Sequence, residues 1–146
     1  MITAFNTMKN TTPLTPEQRR ELIRCIALYS RTSSGSWLND VDYDTVEYYW
    51  KEDIRNSDVM AIRPLTGNRI ILQPNGNNAN VWIQCIAAAA IHELRHVYQK
   101  AKVGCIPYCL LAPWGRIPGL NETAPLEKDA FKHQDLADEW IQRNVK

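Results

Sequence analysis

His92, Glu93, Leu94, Arg95 and His96 stand consecutively in a 146-residue chain that holds only three histidines. Two histidines four positions apart, the first followed by a glutamate, form the HExxH pattern. On a helix turning about 100° per residue, His92 and His96 lie about 40° apart on one face and one turn apart along the axis. Their imidazoles can then converge on one cation. Glu93 projects to the side, where it can reach a water on that cation rather than the cation itself. Zinc suits such a set: it lowers the pKa of its water towards about 7, and the glutamate takes the proton as the water attacks a carbonyl. Zinc needs both imidazoles neutral, so its affinity should fall as pH drops through the histidine range.

Two histidines do not complete a zinc site; a third protein ligand is required. Gln99 and Lys102 occupy the positions where the elongated form of the pattern has glycine and a third histidine. The ligand must therefore come from further on, and Glu122, Glu127, Asp129 and His133 are the candidates. Glu127 is preferred, because it falls in the first turn of a helix predicted to begin at Pro125, beside that helix's inward stripe. His133, six residues on, points about 120° away. It reads better as a core histidine hydrogen-bonded by Asp129. Tyr98, Tyr108, Arg116 and His133 are candidate donors to a developing oxyanion.

A different closure uses Cys105 and Cys109, the first separated from His96 by eight residues. His92, His96, Cys105 and Cys109 would make a closed Cys2His2 site, and the chain a metal-stapled binding module with no role for Glu93 or Glu127. An inactive scaffold that keeps the metal and recognises a partner needs the same ligands as an enzyme. Cys25 and Cys85 read as core residues.

The elements that must hold these groups follow from patterning. Thr15, Pro16 and Gln18 form a capping box with proline at the first helical position. Leu22, Ile23, Ile26 and Leu28 continue it as a helix over 16–30. Tyr43, Val46, Tyr49 and Trp50 are spaced for a second amphipathic helix over 42–53. Residues 59–63 and 69–73 are β-prone runs around the turn chemistry of 65–68, a hairpin whose edge could hold an extended peptide. The helix over 81–101 carries the HExxH residues, and its apolar run 85–91 implies burial on most sides. Loops are expected over 74–80 and 104–125, the latter a possible lid. Leu126, Ala130, His133, Ala137, Trp140 and Ile141 give the inward stripe of a last helix to 143. Residues 1–13 read as a loose arm.

Composition sets the outer limits. The chain is 45% hydrophobic and 23% charged, which excludes a disordered chain, a collagen and a coiled-coil rod. Seventeen basic residues against sixteen acidic leave +1, too little to draw nucleic acid or an anionic membrane. No apolar run approaches the roughly 20 residues that span a bilayer. The first ten residues lack the pattern of a secretion signal, so a single cytoplasmic domain spanning 1–146, its cysteines as thiols or metal ligands, is expected.

The string AAIHELRHVYQ, followed about 30 residues later by PLEKDAF, resembles the HExxH…E zinc metallopeptidases of the gluzincin type, in particular small single-domain forms of bacteria and phages. The likeness covers roughly residues 59–140. It implies an α+β, mostly helical, minimal zincin-like domain: two crossing helices with a short hairpin or small sheet beside the HExxH helix. It further implies His92, His96 and Glu127 as zinc ligands, Glu93 as catalytic base, and a peptide or protein substrate. The chain departs from the family at Arg95, charged where an uncharged residue is usual, and at Asp129, two residues after Glu127 rather than four.

Overall fold

A computed structural model of the chain describes residues 11–51, 61–62, 68–72, 82–104 and 125–145. The described residues form a mixed α+β fold in which three helices pack with a small sheet of order β1-β2-β4-β3. Helix α1 (Pro16–Ser30) begins as its capping box requires. Gln18 N donates to Thr15 Oγ1 at 3.1 Å, and Thr15 N donates to Gln18 Oε1 at 3.0 Å. Leu22, Cys25, Ile26 and Tyr29 recur at helical spacing on its buried face. The chain then turns tightly over Tyr29, whose carbonyl accepts from Thr32 N and Oγ1. A Cβ at Gly35 would overlap that carbonyl, so the turn needs glycine there. A short 3-10 helix, Ser36–Asp40, follows and buries Trp37 and Leu38.

Two expectations need correction. The helix expected over 42–53 is not formed by its described residues, 42–51: turns lead into strand β2 (Glu47–Lys51). The spacing of Tyr43, Val46, Tyr49 and Trp50 imitated a helical stripe, but the inward residues are Val46 and Tyr48, which alternate with exposed Glu47. Tyr49 donates its hydroxyl to Glu47 at 2.9 Å, a contact between residues two apart that a strand brings to one face and a helix does not. The aromatic run Tyr48-Tyr49-Trp50 also has high β propensity. The second correction is that Thr11–Pro13 is strand β1 rather than loose arm, paired antiparallel with β2. Residues 1–10 lie outside the described part.

Strands β3 (Ala61–Ile62) and β4 (Arg69–Leu72) pair antiparallel, as the hairpin reading expects. The turn between them lies outside the described residues. β4 also pairs parallel with β2, bringing Glu47 opposite Arg69, where their side chains lie 3.4 Å apart. Ile70, Ile71 and Leu72 are all buried, as an inner strand covered on both faces requires.

Helix α2 (Trp82–Val103) carries the HExxH residues. Residues 86–91 and Leu94 are buried, and the four alanines let neighbouring elements approach closely. The helix stops at Gly104, whose φ of 92° is the left-handed conformation glycine adopts at a helix end. Helix α3 (Pro125–Asn144) starts on its proline and buries Leu126, Ala130, Ala137 and Ile141 against the rest. α2 and α3 share the most extensive helix contact, with α1 packed against both. Side chains from α1, the 3-10 helix, β2, β4, α2 and α3 meet in one hydrophobic core. The predicted loop 74–80, and residues 105–124 of the loop predicted over 104–125, lie outside the described residues.

Candidate metal centre

The seam between α2 and α3 is where the chemistry gathers. Spacing of four residues turns His92 and His96 to the same side of α2, with ring centroids 5.1 Å apart. Packing of α3 along α2 brings Glu127, in the first turn of α3, between them. His92 Nε2 lies 3.3 Å from Glu127 Oε2, and His96 Nε2 lies 2.6 Å from Glu127 Oε1. One donor atom from each of the three residues lies within 4.8 Å of the other two, so the group can hold a metal ion. The histidines are only 7% and 8% exposed, a burial that polar rings do not take without partners.

Donor atoms bonded to one tetrahedral zinc at 2.0–2.1 Å stand about 3.3 Å apart. The His92–Glu127 separation already has that value, and His96–Glu127 would have to open by ~0.7 Å to reach it. Two imidazole nitrogens and a carboxylate oxygen form a donor set that suits zinc. These residues therefore fit the ion in type and number.

The charges respond to one another. Burial pushes the Glu127 carboxyl up, but hydrogen bonds from His92 and His96 outweigh it and hold it at about 2. Burial depresses the His96 imidazole, yet the Glu127 hydrogen bond and the charges of Glu93 and Glu127 leave it above its ordinary value.

Around the three residues lies a second ring that motif reading missed. His96 Nδ1 meets Gln99 Oε1 at 2.8 Å. Gln99 Nε2 donates to the Leu126 carbonyl at 2.8 Å and to Asp129 Oδ2 at 2.9 Å. Asp129 also accepts from Arg95 Nε at 2.7 Å and Arg95 Nη2 at 3.4 Å. Arg95 and Asp129 are thus partners of each other. Arg95 lies over the rings of Trp37 and Tyr98, 4.9 and 4.4 Å from their centroids. The exposed ring of Phe131 stands edge-on to His92 at 4.6 Å. Gln99 had a signal, since position i+3 from His96 shares its helix face; Trp37 and Phe131 had none in local spacing.

The other sequence candidates sit elsewhere. His133 packs edge-on against Trp37 at 5.4 Å, and its Nε2 lies 3.6 Å from Asp129 Oδ1, near the expected partner but too far for the expected hydrogen bond. Tyr98 packs against Trp37, Arg95 and Lys102. Neither belongs to the His92/His96/Glu127 group. Glu122, Cys85, Cys105, Cys109, Tyr108 and Arg116 lie outside the described side chains; Cys25 is a buried free thiol. Among the described residues no helix is long and apolar enough to cross a membrane. The chain has no significant match to a protein-family model, a curated protein or a solved structure.

Proposed function

We propose that the chain is a zinc-dependent peptidase of minimal zincin type, with His92, His96 and Glu127 as ligands and Glu93 as general base. The observation that carries this reading is the arrival of Glu127, 31 to 35 residues away in sequence, at both Nε2 atoms of the HExxH histidines. A motif alone can arise by chance; a motif joined by a third donor of the right type from a separate helix has a purpose to explain.

Zinc bound there would supply a Lewis acid that polarises a substrate carbonyl and acidifies water. The chain's own residues do the rest. His92 and His96, neutral at Nε2, and Glu127, ionised at any pH above its low pKa, hold the ion at the α2–α3 seam. Glu93 is half-buried one residue along from His92, and its charge is felt at His96. In this reading its carboxylate takes the proton from the attacking water and hands it to the leaving amine. Strand β3, at one edge of the described sheet, is the place for an extended peptide to pair.

Cys105 and Cys109, which the Cys2His2 alternative requires, lie outside the described residues; among those described, Glu127 is the donor that meets both histidines. Glu93→Gln separates an enzyme from a metal-holding scaffold. Zinc content should be unchanged while hydrolysis of a peptide library falls by at least 100-fold, the scale of a general base. Hydrolysis that survives Glu93→Gln would remove Glu93 from that role.

A further inference from the structure

Hydrogen bonding around His96 has a direction, and that direction decides which nitrogen faces the ion. Arg95 can only donate, because its guanidinium has no acceptor and stays charged. Its partner Asp129 therefore accepts. Asp129, paired with the Arg95 guanidinium, also accepts from the Gln99 side chain at 2.9 Å, and the Leu126 carbonyl accepts from it at 2.8 Å. Both groups are acceptors only, so the amide nitrogen of Gln99 must face them and its oxygen must face His96. That oxygen lies 2.8 Å from Nδ1 of His96. An amide oxygen accepts, so Nδ1 of His96 carries a proton, and Nε2, which donates to Glu127 at 2.6 Å while no metal is bound, is the nitrogen left to ligate one.

We infer that Gln99 and Asp129 are positioning residues for the metal: the relay Arg95–Asp129–Gln99 locks His96 in its Nδ1-protonated, Nε2-ligating form. This rests on the metal reading above and adds to it the residues that prepare one ligand. The lock is one-sided. His92 Nδ1 has no hydrogen-bond partner among the described residues, and that ring is held instead by its contacts with His96 and Phe131. Gln99 is 6% exposed, so water does not substitute easily for its oxygen. Arg95 holds the Asp129 carboxylate where the Gln99 nitrogen reaches it, so the pair adds to the Leu126 carbonyl in orienting the amide.

The test is zinc titration against a competing chromophoric chelator, in wild type, Gln99→Met and Asp129→Asn, with circular dichroism to confirm folding. Gln99→Met keeps the side-chain volume and removes the acceptor; zinc affinity should fall about 10–100-fold. Asp129→Asn, at a half-exposed position, removes only the charge that orders the amide, and about tenfold is expected. Long-range proton–nitrogen spectra of the zinc-loaded chain add a readout that a merely structural role would not move. The His96 proton should sit on Nδ1 and exchange slowly with water in wild type, and exchange too fast to observe in Gln99→Met. Affinities within twofold of wild type in both folded variants, or an unchanged Nδ1 proton, overturn the positioning role alone. Absence of zinc binding by wild type, or binding that survives His96→Ala, overturns the metal reading and the relay with it.

Discussion

Arg95 shows how a single side chain can serve the site without touching it. Its guanidinium makes two hydrogen bonds to Asp129 and lies over Trp37 and Tyr98, with the side chain only 15% exposed. A planar fork suits both contacts, and a lysine ammonium reproduces neither well. Replacing Arg95 with Met should cost about 1–3 kcal/mol in urea unfolding, the scale of hydrogen bonds to a charged group, and Arg95→Lys should recover less than half of it. Full recovery by lysine would mean that charge alone matters. At this scale the sequence was most readable where chemistry depends on local spacing. His92, His96 and Glu93 announce themselves within five residues, and Glu127 could be chosen because a helix start fixed its direction. Gln99 was visible only as a departure from another pattern. Its importance comes from Leu126 and Asp129, which the fold and not the spacing brings near.

Elements with strong boundary chemistry were read correctly, and two without it, β1 and β2, were not. Capping at Thr15 and the proline at 125 placed the starts of α1 and α3, and buried alanines marked α2. The segment 42–53 had no cap, and its aromatic residues fit two periodicities; β pairing with β1 and β4 decided between them. Strand β2 turns Tyr48 into the core, where its hydroxyl donates to the Tyr43 carbonyl at 2.7 Å. Burial pushes this phenol well above its ordinary 10.0, with Arg19 pulling only weakly the other way. Because the folded state holds the proton more tightly, stability is fully present below the unfolded value and falls once pH passes it. Urea unfolding between about pH 8 and 11 should show stability declining above about pH 10, by up to 1.4 kcal/mol per pH unit for one such group. Cys25 and Tyr29, also raised by burial, act with the same sign. Tyr48→Phe should flatten the decline; an unaltered slope would show that Tyr48 already ionises in the folded state.

Across the whole molecule, the division of labour is between a core and a seam. Apolar side chains from both halves of the sequence meet in one cluster, which fixes how α3 lies along α2. That packing in turn sets Glu127 against His92 and His96, and it sets Asp129 where Arg95 and Gln99 can reach it. The buried polar side chains of α2, His92, His96 and Gln99, all lie at this seam. The central claim is that this place binds zinc through nitrogen and oxygen. X-ray absorption at the zinc edge, on protein purified without chelator, tests it directly. One zinc with a shell of light ligands at about 2.0–2.1 Å and no sulfur is the predicted result. A sulfur shell near 2.3 Å would transfer the metal to Cys105 and Cys109, and a chain that takes up no zinc even on reconstitution would contradict the account at its root.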